Sequence, residues 1–311
     1  MIALAAYNAD PYDLDAKKVT FKEIYDRWSV GAFAEISASA VNTYTSAFAK
    51  FEKLHNTPMI DIKKAQLQGV FDENRHLSPS YQARMKTLIR GLFKYCLEYD
   101  ILEKDYSQFI KLYSNEKKES IHKPYTPQEI QLLWDNIGLP IPFAYSRLDV
   151  RDITPVDTIL IMIYTGMRPG ELLLIENENV FIDDRYMLGG IKNDTSRNRI
   201  IPLHDDIVPL VKKRMDEGGK YLIKYKSDHP PTLGQYRTYM YDRVMEKLQM
   251  EHLPHDGRHT FATQADASGA NQYLIKRIMG HKITDITQGV YTHKDAPELV
   301  EAVNKITFVK K

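Results

Sequence analysis

Three short motifs stand in order near the end of the chain: HDGRHTFAT at residues 255–263, MGH at residues 279–281 and YTH at residues 291–293. Because His255 and Arg258 are three residues apart, their side chains lie on one face of a helical turn. His281 follows Gly280, and glycine commonly ends a helix. Together with Tyr291, these side chains can bind, neutralise and attack a phosphodiester without a metal ion.

Two further motifs lie upstream of these three. TGMRPGEL occupies residues 165–172, and GGIK at residues 189–192 opens a segment that closes with RNRIIPL at residues 197–203. This order of motifs resembles the active site of the tyrosine recombinases, in which an arginine and a β-hairpin lysine precede His-x-x-Arg, Gly-His and the tyrosine. The resemblance covers the chain from Val19 to its end and has the character of integrases from conjugative transposons and temperate phages of Gram-positive bacteria.

The resemblance assigns the binding of the scissile phosphate to Arg168 and Arg258. A phosphodiester transition state carries extra negative charge on its non-bridging oxygens, and a guanidinium can donate to two oxygens at once while it stays protonated. Tyr291 would attack the phosphorus and form a 3′-phosphotyrosyl link, as the family does. A free tyrosine has a pKa of about 10, so this attack requires nearby cations and a base.

The resemblance also distributes the protons of the reaction. His255 would accept the proton of Tyr291, and Lys192 would protonate the leaving 5′ oxygen. His281 would bond a non-bridging oxygen or position Tyr291. Because the covalent link stores the phosphodiester, rejoining requires neither ATP nor a metal, and we expect no cofactor. The implied function is a site-specific DNA recombinase that integrates and excises a mobile element.

Two residues near the arginines are expected to support them. Arg168 falls in a tight turn, because Gly166 should end an apolar helix and Pro169 should begin the next one. Glu171 in the first turn of that second helix can orient Arg168 through a charge-assisted hydrogen bond. His259 is expected to be structural and to bond backbone groups in the core.

Residues 180–203 alternate between apolar and polar positions and predict a small antiparallel sheet. Lys192 falls at the edge of its second turn. A lysine in a hairpin is usually only a solubilising edge residue, so the role of Lys192 depends on its match to the family. Because this connection is slightly longer than in many family members, Arg197 and Arg199 are lesser candidates for the same role.

A metal-dependent hydrolase is the main alternative of another chemistry, because the sequence HLPHDGRH places His252, His255 and His259 close together. His255 and His259 are one helical turn apart and can share a metal, with Asp256 beside them. No glutamate stands between them as a base, and a metal site would leave the arginine, lysine and tyrosine motifs unexplained. A type IB topoisomerase uses similar residues, but the chain is short for a cellular one. A non-catalytic DNA-binding regulator would not need Tyr291.

Composition bounds the class of protein. The chain has 311 residues, of which 43% are hydrophobic and 27% charged, and this fits a soluble globular protein of two domains. Its single cysteine, Cys96, excludes an internal disulfide framework and a cysteine-built zinc site. No run of eighteen apolar residues occurs and no signal peptide precedes the first domain, so we expect a cytoplasmic protein with no membrane partner.

The predicted fold class is mainly α with a small antiparallel β-sheet. An all-helical core-binding domain should precede an α+β catalytic domain of the tyrosine recombinase type. The predicted segments are a lead-in over residues 1–18, the helical domain over 19–112, a polar linker over 113–124, the catalytic domain over 125–294 and a tail helix over 295–311. Integrases of this type usually begin with a separate small domain that binds arm sites in DNA, and none is visible in this sequence.

The helix predicted over residues 80–99 has an apolar face that should meet a core and a second face that is basic. Lys86, Arg90 and Lys94 recur every four residues on that second face. A row of cations is typical of a solvated surface, and it is also what a helix across DNA phosphates needs. The resemblance favours contact with double-stranded DNA.

Residues 205–226 and 236–250 predict two further helices. The first carries Lys212, Lys213 and Arg214. These side chains either contact phosphates or are solvated, and the sequence does not separate the two interpretations.

The last residues predict an amphipathic helix, because Leu299, Val303 and Ile306 fall on one stripe. An isolated helix this short is marginal in water, so the stripe must be buried against a partner. Packing on its own domain is the commoner fate of such a helix, whereas the resemblance favours docking in trans on a neighbouring protomer. That docking would build a homotetramer on DNA, and accessory DNA-bending or excision proteins are further expected partners.

Overall fold

The computed structural model describes residues 19–113, 122–144, 150–190, 198–225, 229–281 and 296–309. The chain divides into two compact units, Met1–Glu119 and Ser120–Lys311, which we call the N-terminal unit and the catalytic unit. Across the described ranges, every helix is too short or too polar to cross a lipid bilayer.

The N-terminal unit is helical. Its helices are α1 (Phe21–Ala32), α2 (Ala38–Ala49), α3 (Lys64–Glu73) and α4 (Pro79–Glu98), with single 3₁₀ turns between and after them. Thr20 begins α1 with a reciprocal cap, in which the Glu23 backbone N–H donates to the Thr20 hydroxyl over 3.3 Å and the Glu23 carboxylate accepts from the Thr20 backbone over 2.8 Å. Ser78 caps α4, and Pro79 occupies its first turn, where no intrahelical donor is lost.

The apolar face of α4 forms much of the core of the N-terminal unit, as its spacing predicts. Its fully buried members are Met85, Leu88, Ile89, Leu92, Phe93 and Cys96. Stacked aromatic rings complete this core, and the centroids of Tyr25 and Phe48 are 3.7 Å apart. Burial raises the pKa of the Cys96 thiol to about 12, so this cysteine is a core residue rather than a reactive thiol.

The catalytic unit contains nine further described helices. They are α5 (Pro127–Asp135), α6 (Val156–Thr165), α7 (Pro169–Leu172), α8 (Val208–Asp216), α9 (Leu233–Tyr236), α10 (Asp242–Leu248), α11 (Asp256–Ala267), α12 (Gln272–Met279) and α13 (Ala296–Asn304). A π-helical turn over Arg237–Tyr241 joins α9 to α10. Every residue of α6 is buried, and this helix packs against α5 and α11 at the centre of the unit.

Two small antiparallel sheets lie in the catalytic unit. One pairs β1 (Ile141–Ala144) with β2 (Val150–Ile153), and the other has the strand order β3 (Val180–Phe181), β4 (Tyr186–Gly189) and β5 (Arg199–Pro202). Gly189 pairs with Arg199 at the end of the β4–β5 ladder, next to residues 191–197, which lie outside the described residues. The second sheet confirms the predicted fold class, whereas the β1–β2 hairpin was not predicted.

The helix predicted over residues 205–226 was too long. It begins with a 3₁₀ turn at Asp205–Ile207 and ends at Asp216. Gly218 and Gly219 follow with φ values of +70° and +85°, a left-handed conformation that ends a helix, and Tyr221 then pairs with Glu176 as an isolated bridge.

Arg214 on α8 is a structural residue rather than a solvated or phosphate-binding one. Its Nε lies 2.8 Å from Asp157 Oδ2, and its Nη2 donates to the Thr154 carbonyl over 2.6 Å. The Asp157 side chain is fully buried, so this ion pair joins α8 to the start of α6.

The tail helix α13 packs on its own catalytic unit, in cis, which differs from the expected docking on a neighbouring protomer. Leu299, Val303 and Ile306 are buried, and the helix contacts β5 and α12. Beyond the helix, the ring of Phe308 stacks on Tyr164 with centroids 4.0 Å apart. In the single chain, the apolar stripe therefore finds its partner within the same unit.

Candidate active site

Arg258 connects the ends of two helices. It lies in the first turn of α11, and its Nη1 donates to the carbonyl of Gly166 while its Nη2 donates to the carbonyl of Met279, both over 2.8 Å. These carbonyls lie at the carboxyl ends of α6 and α12, where no intrahelical donor is available and the helix dipole favours a cation. Burial, followed by the charge of Arg168, lowers the pKa of Arg258 to about 10, so the guanidinium stays protonated at neutral pH.

Gly166 can only be glycine at this position. Its φ is +64°, in the left-handed region, and a β-carbon there would lie 2.6 Å from a ring carbon of Phe261. The glycine lets α6 end beside α11, so that the Gly166 carbonyl reaches Arg258.

The carboxyl end of α12 is completed by two arginines. The backbone N–H groups of Gly280 and His281 cap the carbonyls of Arg277 and Lys276 in the last turn, in the usual glycine-terminated arrangement. The last two carbonyls receive side chains instead, since Arg199 Nε donates to Ile278 over 3.0 Å and Arg258 Nη2 donates to Met279 over 2.8 Å.

His281 follows this helix end and is held next to Arg258. Its Nε2 lies 2.8 Å from Arg258 Nη2. A guanidinium can only donate, so His281 Nε2 accepts and the ring proton of the neutral form resides on Nδ1. Desolvation, and then the charges of Arg258 and Arg168, lower the pKa of His281 and favour this neutral form.

Arg168 precedes α7 and pairs with Glu171 in its first turn. Arg168 Nη1 lies 2.9 Å from Glu171 Oε1, and the Arg168 backbone N–H donates to Oε2 over 3.0 Å. Glu171 is 3% exposed while the Arg168 side chain is 32% exposed, so the carboxylate lies inside and the guanidinium reaches the surface. Burial opposes ionisation of Glu171, but Arg199 and Arg168 outweigh it and hold its pKa below the ordinary value.

Arg199 is the residue whose position the sequence did not predict. Its Nη2 lies 2.8 Å from Glu171 Oε2 and its Nη1 lies 3.2 Å from Oε1, and its side chain is 6% exposed. The guanidinium of Arg199 is buried and bonded to Glu171 and to the Ile278 carbonyl, so the prediction that Arg199 could replace Lys192 at the leaving oxygen was wrong. Lys192 and Arg197 lie outside the described residues.

His255 is exposed at the residue before α11, on the same turn as Arg258. Desolvation is the largest cause that lowers the pKa of His255, and the positive charges of Arg258 and Arg168 lower it further. A neutral imidazole at this position can accept a proton at neutral pH.

His259 is exposed, so the expectation that it bonds backbone in the core was wrong. Its ring stacks on that of His122, with centroids 4.8 Å apart. His122 had been included in the predicted linker, but its Nδ1 lies 2.7 Å from the buried Asp256. Nothing in the polar sequence around His122 indicates this long-range contact.

His252 is engaged by carboxylates. Its Nε2 lies 3.1 Å from Glu129 Oε1, and its Nδ1 lies 3.3 Å from Asp256 Oδ2. Within the part of the chain that the structure describes, no three histidine, cysteine or acidic side chains are arranged to hold a metal ion. The metal-hydrolase alternative is therefore not supported.

The predicted DNA-contacting residues of α4 differ from one another. Lys86 is half-buried, and its ammonium donates to the carbonyl of Ile110 over 2.6 Å within the N-terminal unit. Arg90 and Lys94 are exposed, and Lys94 lies 3.5 Å from Glu98. Lys86 is thus held by a backbone carbonyl of its own unit, whereas the partner of Lys94 is an exposed carboxylate on the same helix.

The catalytic unit thus brings Arg168, Arg258, His255 and His281 into one electrostatic neighbourhood, since Arg168 and Arg258 each lower the pKa of both histidines. Tyr291 lies outside the described residues. Cations with neutral imidazoles beside them are suited to bind a phosphodiester anion. The fold and this site together define a tyrosine recombinase.

The comparisons with known proteins agree with this class. The model of the phage integrase family matches residues 127–298, which is more than half of the chain, and the chain belongs to this family. The tyrosine recombinase XerD of Vibrio cholerae is 25% identical over 243 residues, covering 74% of this chain and 76% of the relative. XerC of Pediococcus pentosaceus is 22% identical over 293 residues, covering 87% of this chain and 92% of the relative.

Solved structures share the fold. The Tn1549 transposon integrase in complex with circular intermediate DNA has a TM-score of 0.70 at 18% identity, covering 90% of this chain and 98% of the other. A lambda integrase dimer bound to a COC′ core site has a TM-score of 0.65 at 16% identity, covering 89% and 99%. The chain is a site-specific recombinase of the tyrosine type.

Proposed function

We propose that this recombinase cleaves and rejoins double-stranded DNA through a 3′-phosphotyrosyl intermediate, and that it integrates and excises a mobile element. The observation that carries the proposal is the fixation of Arg258 by the carbonyls of Gly166 and Met279, with His281 bonded beside it. A guanidinium held by two helix ends is organised before substrate arrives, and such preorganised donors stabilise developing charge most effectively.

Arg168 and Arg258 bind the non-bridging oxygens of the scissile phosphate. The two guanidinium groups are close enough for the charge of Arg168 to lower the pKa of Arg258. This repulsion is relieved when an anion binds between them, so the site favours the extra negative charge of the pentacovalent transition state. His281, with its proton on Nδ1, donates to a non-bridging oxygen or positions the nucleophile.

Tyr291 attacks the phosphorus, and His255 accepts its proton. The lowered pKa of His255 supports this assignment, because a base must be neutral at the working pH. Lys192 protonates the leaving 5′ oxygen. Rejoining reverses these steps when a 5′ hydroxyl attacks the phosphotyrosyl bond and Tyr291 leaves.

The substrate and the assembly are inferred from the solved relatives. These are the Tn1549 transposon integrase in complex with circular intermediate DNA, a lambda integrase dimer bound to a core site and a lambda integrase tetramer bound to a Holliday junction. We therefore assign duplex DNA to this chain as substrate and a multimer as its working form. Docking of α13 on a neighbouring copy would reproduce the contacts with β5 and α12 that it makes in cis, so an exchange of α13 links the protomers.

Single-turnover cleavage of a nicked suicide duplex tests the proposal. The duplex carries a candidate target site, and protein–DNA adducts are separated on a denaturing gel. We expect a covalent adduct that forms equally well in excess EDTA. An enzyme that cleaves only with added zinc or magnesium, and leaves no adduct, would contradict it.

A further inference from the structure

One carboxylate serves two arginines in the catalytic unit. Glu171 Oε1 accepts from Arg168 Nη1 over 2.9 Å and from Arg199 Nη1 over 3.2 Å. Glu171 Oε2 accepts from the Arg168 backbone over 3.0 Å and from Arg199 Nη2 over 2.8 Å. Arg199 makes the bidentate contact with the carboxylate, whereas the side chain of Arg168 makes a single one.

The exposed fractions separate the two arginines further. Arg199 is 6% exposed and Arg168 is 32% exposed, while Glu171 between them is 3% exposed. Opposite charges attract most strongly away from water, so the buried pair of Arg199 and Glu171 is the tighter one. Arg168 retains a guanidinium that faces outward.

The charge balance follows from this geometry. Arg168, Arg199 and Arg258 supply three positive charges, and Glu171 supplies one negative charge. With Arg199 present, Glu171 is neutralised from inside and two positive charges remain for a phosphate. Without Arg199, the same carboxylate would cancel the charge of Arg168, and one positive charge would remain.

Arg199 also holds the helix end that precedes His281. Its Nε donates to the carbonyl of Ile278 over 3.0 Å. A β-carbon on Gly280, which has a φ of +67°, would lie 3.1 Å from Cδ and Nε of Arg199. The guanidinium is therefore packed directly against the turn from which His281 projects.

We propose that Arg199 is a positioning residue of the recombination reaction. It neutralises Glu171, so that Arg168 keeps its full positive charge for the scissile phosphate, and it fixes the turn that carries His281. This inference rests on the proposed function, because it concerns the same phosphate.

Arg214 provides a matched control within the same unit. It forms a buried bidentate ion pair with Asp157, with exposed fractions of 12% for Arg214 and 0% for Asp157. Arg199→Gln and Arg214→Gln each leave a buried carboxylate with less compensation, so both should lower the melting temperature. Only Arg199→Gln should slow adduct formation at saturating protein, by roughly tenfold or more, with little change in DNA affinity.

Two further variants separate charge from packing. Arg199→Lys keeps the charge but cannot form the bidentate contact, so it should lose stability and still cleave faster than Arg199→Gln. The double variant Arg199→Gln/Glu171→Gln removes both members of the buried pair and restores two positive charges. It should cleave several times faster than Arg199→Gln alone, a coupling that additive structural damage does not produce.

The outcomes are distinct. Cleavage by Arg199→Gln at the wild-type rate, or a double variant no faster than Arg199→Gln, overturns the inference while the proposed function stands. If Arg199→Gln does not fold, Arg199→Lys is tested in its place. Adduct formation by Arg199→Lys that is far slower than by the double variant contradicts the charge argument. A wild-type protein that forms no adduct removes the proposed function and this inference with it.

Discussion

The positive charges of the two units are held in different ways. In the catalytic unit, Arg258 is largely buried and donates to the carbonyls of Gly166 and Met279. In the N-terminal unit, Arg90 and Lys94 stand on the exposed face of α4. Fixed charges in a desolvated site stabilise charge that develops at one position, whereas exposed charges attract an anion over a longer distance and are screened by salt. The first arrangement suits chemistry on one phosphate, and the second suits binding of many.

Removing the fixed charge should have the largest effect. Arg258→Ala deletes a transition-state donor, and such deletions slow catalysis by about 10²–10³-fold. The rate of adduct formation at saturating protein measures the effect. Arg214→Ala is the control, because Arg214 is also a buried arginine of the catalytic unit but is paired with Asp157. Equal rates of adduct formation for Arg258→Ala and the wild type would contradict the distinction between fixed, buried cations and exposed ones.

Arg168→Lys should have the next largest effect. An ammonium cannot donate in a fork to two phosphate oxygens, so we expect adduct formation to slow by roughly tenfold or more although the charge is kept. DNA affinity, measured by a gel-shift titration, should change little. A lysine variant that cleaves like the wild type would show that Arg168 contributes charge alone.

The pH dependence tests the neutral histidines. The pKa values of His255 and His281 both lie below the ordinary value, so both rings stay neutral until the pH falls below about 6.5. Cleavage should therefore be nearly constant from neutral pH down to about 6.5 and decline below it, as protonation removes the base and the acceptor of the Arg258 bond. A rate that already halves near pH 7.5 would contradict the assigned protonation states.

The cations of α4 should have the smallest effect on cleavage and a selective effect on binding. Arg90→Gln/Lys94→Gln should flatten the salt dependence of DNA affinity by up to about one unit of logarithmic slope per lost phosphate contact. Lys86→Met is the matched control, because Lys86 donates to the carbonyl of Ile110 and should affect stability instead. If the double variant leaves the slope unchanged, that face of α4 is only solvated.

Local features of the site could be predicted from the sequence because they depend on neighbours along the chain. Gly166 and Gly280 end α6 and α12 with left-handed φ values, as glycines after apolar helical stretches do. The pairing of Arg168 with Glu171 is likewise a contact within one turn. The double glycine at 218–219 is likewise a local signal, since both residues adopt left-handed φ values just after α8 ends at Asp216.

Long-range partners could not be predicted from spacing alone. Arg199 and Glu171 are separated by strands β3 and β4, and only the folded sheet brings them to 2.8 Å. His259 was expected to bond backbone in the core, yet it is exposed and its ring stacks on His122. The tail stripe of Leu299 and Val303 demands a partner, but periodicity does not distinguish the chain's own unit from a neighbouring copy.

The central claim is that Arg258 and its neighbours form the phosphate-binding part of a site whose nucleophile is Tyr291. The most direct test is Tyr291→Phe, which removes one hydroxyl, assayed on the suicide duplex beside a gel-shift titration. The account predicts that Tyr291→Phe binds DNA as tightly as the wild type but forms no covalent adduct. In the wild-type protein, the adduct should map to the peptide that contains Tyr291. A Tyr291→Phe protein that still forms the adduct would assign the nucleophile to another residue and contradict the account.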